Sequence, residues 1–186
     1  MQLIYIIIYF VWFVFEFLIN RLMRSKHQDQ QNKDKHSLLL IWITIFVAIF
    51  SSIHVSLNYH FPILNNIYIG YIGLTIIIIG TIFRLIIIKS LGEYFTVDVT
   101  IKNNHRLKKD GFYKFLRHPI YFVSLITFIG FGISLNNWVS LLIVFILITS
   151  IFIYRIKVEE KVLIQCFGDE YLEYKKSTKG LIPFIY

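Results

Sequence analysis

The stretch FLRHPIY, residues 115–121, sets an arginine, a histidine and a proline directly ahead of an apolar run. Proline pushes the residue before it out of the helical region, and it suits the first helical position, where a missing N–H is no loss. His118 is therefore expected at a fixed helix start. Free backbone N–H groups and the helix dipole draw anions to such a start, and Arg117 and His118 strengthen the attraction. Two readings stand: a negatively charged ligand group is received here, or the two side chains only flank a membrane span.

A second cluster lies in RIKVEEK, residues 155–161, where i,i+4 spacing sets Arg155 and Glu159 on one helical face. On a wet surface such a pair is worth only a few tenths of a kcal/mol. Here it falls at a membrane boundary and is followed by VLIQCF, which implies a helix that stays packed against protein or lipid. After Gly168, DEYLEYKK runs from acids to bases, the order that suits the dipole of a short helix. The closing GLIPFIY is expected to dock back onto the membrane face.

These side chains need elements to hold them. The 186 residues are 56% hydrophobic and 18% aromatic with a formal net charge of +8, which points to an integral membrane protein rather than a water-soluble one. A hydrocarbon core of about 30 Å takes about 20 mostly apolar residues per helix. Five stretches come close, Leu3–Ile19, Leu38–Leu57, Ile67–Ile88, Ile120–Leu135 and Trp138–Tyr154. The last two are joined only by Asn136 and Asn137 and predict a tight helical hairpin. The first lacks a basic leader and a small-residue cleavage site and is followed by Arg21 and Arg24, so it is expected to be retained.

Charge orients the spans. All 19 Lys and Arg lie at 21–35, 84, 89–117 and 155–179, and none lies at 1–2, 58–66 or 136–137. Basic residues are retained in short cytoplasmic loops. The expectation is an all-α membrane protein with five transmembrane helices, the N-terminus outside and the C-terminus cytoplasmic. The basic residues also attract anionic lipid. The polar tract SKHQDQQNKDKHS, residues 25–37, reads as a mobile loop.

The loop 89–119 and the tail 155–186 then share the cytoplasmic side and are able to meet. LGEYFTVDVTI, residues 91–101, alternates in polarity and reads as an extended or interfacial stretch. KKDG is a turn signal, and FYKFLRHP, residues 112–119, reads as a short interfacial helix anchored by aromatics. Within the spans, Glu16 is expected to pair with a neighbouring base such as Arg21. Arg84 either snorkels from its helix end or serves the function, as intramembrane arginines do. His54 reads as a polar helix-end residue. The single Cys166 gives neither an intramolecular disulfide nor a zinc cluster, and no metal site is expected. Nothing around the basic residues resembles a nucleic-acid motif, and there is no GxGxxG.

The string HRLKKDGFYKFLRHPIY (105–121), followed by RIKVEEKVLIQCFGDEYLEYKK (155–176) and a GLIPFI ending, resembles the isoprenylcysteine carboxyl methyltransferases, which have phospholipid N-methylating relatives. RHPxY, RxxxEE and FGxEYxxY in this order carry the likeness, over roughly residues 91–184 in the catalytic half 89–186. The resemblance implies a single membrane domain with a cytoplasmic pocket for S-adenosylmethionine. Carried over residue by residue, it implies that His105, Arg106, Leu107, Lys108, Tyr113, His118, Pro119, Ile120 and Tyr121 line the cofactor. Glu159 would contact it, and Arg155 would hold the substrate's reacting group. The family's frequent Gly-Pro-Tyr is Gly-Phe-Tyr here at 111–113, the ending has one extra residue, and Asp98 stands where eukaryotic members carry a polar amide.

The chemistry agrees with that implication. Methyl transfer from a sulfonium is an in-line displacement, so the acceptor oxygen must be aligned and water excluded. A carboxylate is ionised at neutral pH and needs no general base. It needs a cation, the role of Arg155, while Glu159 suits the positive charges of the cofactor. The acceptor is expected to be a lipophilic small molecule or prenylated group drawn from the bilayer. Abundant Ile, Lys, Asn, Phe and Tyr suggest a low-GC bacterial genome and hence a bacterial cell membrane, where a lipid phenol, enol or pyrone is the alternative acceptor. Phospholipid N-methylation, a nicotinamide-dependent reductase and a non-catalytic scaffold are the competing functions. The presence of both Arg155 and Glu159 favours a methyltransferase over the last two, and an amine acceptor would need a base to remove its proton, beside which Arg155 would be unhelpful.

Overall fold

The computed structural model describes residues 3–22, 35–92 and 107–181. Within them the chain forms α1 (Leu3–Leu22), α2 (Lys35–Asn58), α3 (Tyr68–Leu91), α4 (Pro119–Ser134), α5 (Trp138–Phe167) and α6 (Asp169–Ser177), with one 3-10 turn at Gly111–Lys114. No β-strand occurs among the described residues, only a single parallel bridge between Leu116 and Lys179. Among them, three helices are long and apolar enough to cross a membrane, Ser37–Asn58, Tyr68–Leu91 and Trp138–Phe167. Leu3–Ile19 and Pro119–Ser134 are shorter apolar helices.

Small residues set how closely the helices approach. A Cβ on Gly73 would run into the Ser134 and Gly130 backbones, and one on Gly80 would strike Thr127. With no side chain at these points, α3 lies flush and antiparallel on α4, its broadest partner. α1 packs beside this pair, with Tyr9 Oη 2.6 Å from Ser134 Oγ and Trp12 edge-on to Phe128 at 5.1 Å. α2 runs antiparallel to α5. Ser140 Oγ donates to Ser52 O at 2.7 Å near one end, and Arg155 Nη1 donates to Ser37 Oγ near the other.

The predicted hairpin is present. Asn136 adopts a φ of 47°, a left-handed value that asparagine tolerates better than most residues, and Asn137 caps α5 by accepting from Ser140 N at 3.1 Å. The same turn holds the segment after α2. Asn136 Oδ1 accepts from Ile63 N and Leu64 N, and Asn137 Nδ2 donates to Tyr59 O at 2.7 Å. This far end is knitted by amide side chains. The opposite end gathers the C-terminal ends of α1 and α3, the N-terminal ends of α2 and α4, and the last turns of α5.

Two expectations need correction. The tract at 25–37 is not all loop, because α2 begins at Lys35 and Ser37 is fully buried against α5; residues 25–34 lie outside the described part. The segment read as a helix over 112–119 is a single 3-10 turn at 111–114, since Gly111 takes a φ of 59° and Pro119 forces a fresh start five residues after Lys114. Glu16 also has a partner on α3 that the sequence did not suggest, where Arg84 Nη1 donates to its Oε1 at 2.5 Å. The stretch 93–101 and the ending 182–186 lie outside the described residues, while Leu181 is fully buried.

Candidate active site

His118 takes a non-helical backbone (φ −125°, ψ 58°) and Pro119 opens α4, as the sequence predicts. The first intrahelical bond runs from Phe122 N to His118 O at 3.2 Å. What fixes this start is the tail. Arg117 N donates to Lys179 O at 2.8 Å, His118 N donates to Gly180 O at 3.2 Å, and Lys179 N returns a bond to Phe115 O.

The anion drawn to this helix start is the protein's own. The His118 ring lies between the adjacent carboxylates of α5, with Nδ1 3.3 Å from Glu159 Oε2 and Nε2 3.5 Å from Glu160 Oε1. The latter is an ion-pair distance rather than a hydrogen bond. A neutral imidazole donates from one nitrogen only, whereas the imidazolium donates from both. Burial alone favours the neutral ring, but the close carboxylates Glu159 and Glu160 outweigh it and raise the His118 pKa above its ordinary value.

Arg155 sits deeper and is fully buried. Its Nε lies 3.4 Å from the Tyr121 hydroxyl and 3.6 Å from Glu159 Oε1. Tyr121 donates in turn to Glu159 Oε1 at 2.5 Å and packs against Phe152, ring centroids 5.2 Å apart. The i,i+4 pair read from the sequence is therefore one edge of a cluster that spans α2, α4 and α5.

On the tail side, Glu160 Oε1 accepts from Arg117 Nε at 2.9 Å and its Oε2 accepts from Lys175 Nζ at 2.5 Å. Arg117 also donates to the backbone carbonyls of Lys175 and Thr178, which ties α6 to the RHP segment. Tyr174 donates to Tyr113 O at 2.5 Å. Burial, then the charge of Glu159 and the nearby Tyr174, push the Tyr113 phenol above its ordinary pKa. Tyr113 Oη, Tyr171 Oη and His118 Nε2 are buried with no hydrogen-bond partner among the described residues.

Of the residues implicated by the sequence, Tyr113, His118, Tyr121, Arg155 and Glu159 meet here. Pro119 is buried, and Ile120 packs with Ile87, Tyr113 and Val123. Leu107 is half-buried, Lys108 pairs with Asp110 at 3.0 Å, and His105 and Arg106 lie outside the described residues. Sequence reasoning left Glu160, Lys175, Ser37 and Tyr171 without roles. The doubled acid in RIKVEEK was the available signal for Glu160. Among the described residues no group of His, Cys, Asp and Glu could hold a metal ion.

The result is a buried, permanently charged guanidinium beside a phenol and two carboxylates, where helix ends meet apolar faces. Such a site can hold an anionic head group on its cation and balance a cationic group on its carboxylates. The family model for the isoprenylcysteine carboxyl methyltransferase (ICMT) family matches residues 72–165, just over half of the chain. Protein-S-isoprenylcysteine O-methyltransferase B of Arabidopsis thaliana is 34% identical over 120 residues, 63% of this chain and 61% of the relative. The Saccharomyces cerevisiae protein-S-isoprenylcysteine O-methyltransferase is 38% identical over 116 residues, 61% and 48% of the two chains. The chain thus spans at most about six tenths of the length of these relatives. The solved structure of the eukaryotic intramembrane Ras methyltransferase ICMT superposes with a TM-score of 0.59 at 24% identity, covering 84% of this chain and 55% of that one, and shares the fold. The chain belongs to the isoprenylcysteine carboxyl methyltransferase family.

Proposed function

We propose that this protein transfers a methyl group from S-adenosylmethionine to the carboxylate of a lipophilic, isoprenylcysteine-like acceptor. The observation that carries the reading is the buried Arg155, bridged through the Tyr121 hydroxyl to Glu159 at the mouth of the helix bundle. When bound, the cofactor supplies an electrophilic methyl group on a positively charged sulfur. The residues present fit such a group. Glu159 and Glu160 answer its positive charges, and the unpartnered Tyr113, Tyr171 and His118 atoms answer its polar ones. His105, Arg106, Leu107, Lys108, Tyr113 and the run His118 to Tyr121 would hold it, with Glu159.

Arg155 holds the acceptor carboxylate, which is ionised at neutral pH and asks no base of the protein. Tyr121 orients both Arg155 and Glu159, so the cation and the anion of the site keep a fixed spacing. Burial of Arg155 excludes water and strengthens its hold on the acceptor.

The helix directions support a topology of five spans in one domain, with α1 and α4 completing the three longer ones. The end bearing the site also carries the basic segments, so the positive-inside rule makes it the cytoplasmic face, with the N-terminus outside and the C-terminus inside. The acceptor then arrives from the bilayer, the cofactor from water. The composition supports a bacterial cell membrane as the setting.

Calorimetric titration of detergent-purified protein with S-adenosylmethionine and S-adenosylhomocysteine tests the reading, with His118→Ala as control. Saturable binding that the variant loses, together with labelled-methyl transfer to a farnesylated cysteine that Arg155→Ala and Glu159→Ala abolish, is the expected result. Folded protein that binds neither compound would overturn it.

A further inference from the structure

Among the described residues, Arg155 is the largest side chain that is wholly buried. A planar guanidinium keeps one orientation when more than one of its nitrogens is held, and here two are. Nε lies 3.4 Å from the Tyr121 hydroxyl and 3.6 Å from Glu159 Oε1, whereas Nη1 donates to Ser37 Oγ. The first pair of contacts comes from α4 and α5, the helices that carry the site. The other comes from the first turn of α2, 118 positions away along the chain. Ser37 is 1% exposed and lies outside RHPxY, RxxxEE and FGxEYxxY, the motifs that mark the site.

A tie between helices does not by itself account for this hydroxyl. α2 is already pinned to α5 where Ser140 Oγ donates to Ser52 O at 2.7 Å, and between the two polar contacts Ala48, Val144 and Ile148 share one buried apolar core. Taking a hydroxyl out of water costs free energy, which an alanine in the same place would not incur. Its neutrality is what suits the chemistry. A carboxylate at this position would orient the guanidinium and also cancel its charge, while a hydroxyl orients it and leaves the charge for an anionic ligand. Glu159 is the competing carboxylate, and Ser37 acts against it from a different nitrogen of the same group.

We propose that Ser37 is a positioning residue for methyl transfer, its hydroxyl holding Arg155 toward the acceptor carboxylate and keeping it from closing onto Glu159. α2 thereby contributes to the active site and not only to the bundle. This inference rests on the reading of Arg155 as the group that holds the acceptor.

Calorimetric titration of the detergent-purified protein, without cofactor, with N-acetyl-S-farnesylcysteine and with its methyl ester reads the hold on the carboxylate, because the two probes differ in that group alone. Wild-type protein is expected to bind the acid more tightly. Ser37→Ala removes one oxygen and is expected to lower the ratio of acid to ester affinity about tenfold, the lower end of what one hydrogen bond to a charged group is worth. Its affinities for the ester and for S-adenosylhomocysteine should stay as in wild type. Ser140→Ala, which removes the other hydroxyl tie between α2 and α5, is expected to leave the ratio unchanged. A ratio that Ser37→Ala does not move, or that Ser140→Ala lowers equally, overturns the proposal and leaves Ser37 a helix tie. Wild-type protein that binds S-adenosylhomocysteine yet does not prefer the acid removes Arg155 as the partner of the carboxylate, and the proposal with it. Folded protein that fails to bind S-adenosylhomocysteine removes the methyltransferase reading and, with it, the role of Ser37.

Discussion

Tyr121 donates its phenolic proton to Glu159 across 2.5 Å, and this bond joins the first turn of α4 to α5 where the two helices carry their charged side chains. Tyr121→Phe keeps the ring against Phe152 and removes only the hydroxyl. The aromatic packing should therefore survive while Arg155 and Glu159 lose their common partner. The expected result is a fall in kcat of tenfold or more with a thermal midpoint lowered by only a few degrees, since one buried hydrogen bond to a charged group is worth about 1.5–3 kcal/mol. A variant as active as wild type would show that the hydroxyl is a bystander.

The two carboxylates beside His118 give the fold a pH dependence of definite sign. The His118 pKa is raised in the folded protein, so its contribution to stability is fully present below the unfolded value of about 6.5 and is lost as pH rises through the higher folded value. The thermal midpoint should accordingly drop between neutral and mildly alkaline pH, a range in which Glu159 and Glu160 do not change charge. Scans of wild type and His118→Asn across that range check it, and the drop should be missing from the variant.

Glu160 holds two cations in unlike settings. The Arg117 side chain is as buried as that of Glu160, 9% and 10% exposed, whereas the Lys175 side chain is 41% exposed. Glu160→Ala leaves the Arg117 guanidinium uncompensated and should destabilise the fold by about 3–5 kcal/mol. Lys175→Ala removes a surface partner and should cost about 1 kcal/mol or less. Limited proteolysis of α6 in the two variants reads the difference directly, with rapid cleavage expected only in the first.

Gly73 and Gly70 differ in what a methyl group would meet. At Gly73 it meets the backbone of α4, which cannot step aside, and at Gly70 the hydroxyl end of the Tyr5 side chain, which can. Gly73→Ala should therefore destabilise by about 1–3 kcal/mol, the usual cost of overpacking, and Gly70→Ala by clearly less. Thermal unfolding in one detergent ranks them, and equal losses would show that α3 shifts bodily on α4.

The parts of the site legible in the sequence are those governed by local rules. Pro119 dictates a helix start whatever surrounds it, and the spacing of Arg155 and Glu159 places them together on any helix. The acid-to-base order of DEYLEYKK likewise marks α6, which the structure forms at Asp169–Ser177. The Asn136–Asn137 turn was equally plain, because so short a link leaves the two helices no other course. What escaped were pairings across long separations. Glu16 meets Arg84 at a distance of 68 positions and Arg117 meets Glu160 at 43, and each is set by how helices stack. Chain proximity points Glu16 to bases such as Arg21, yet it says nothing about which neighbouring helix presents a partner. Ser37 escaped for the same reason, a polar residue at the end of a polar tract whose burial depends on α5 passing beside it.

The unbroken course of α5, from Trp138 to Phe167, makes the two ends of the molecule share one angular reference. Ser140 is clamped to α2 at one end, and Arg155, Glu159 and Glu160 lie on the same uninterrupted screw. Each residue advances that screw by about 100°. One amino acid inserted between Ile146 and Leu147 would leave every apolar side chain as oily as before, yet it would swing Arg155 toward a different neighbour and part Glu160 from Arg117. The length of this segment is thus held to a tolerance of a single residue by chemistry at its far end, although lipid itself would accept a helix slightly longer or shorter.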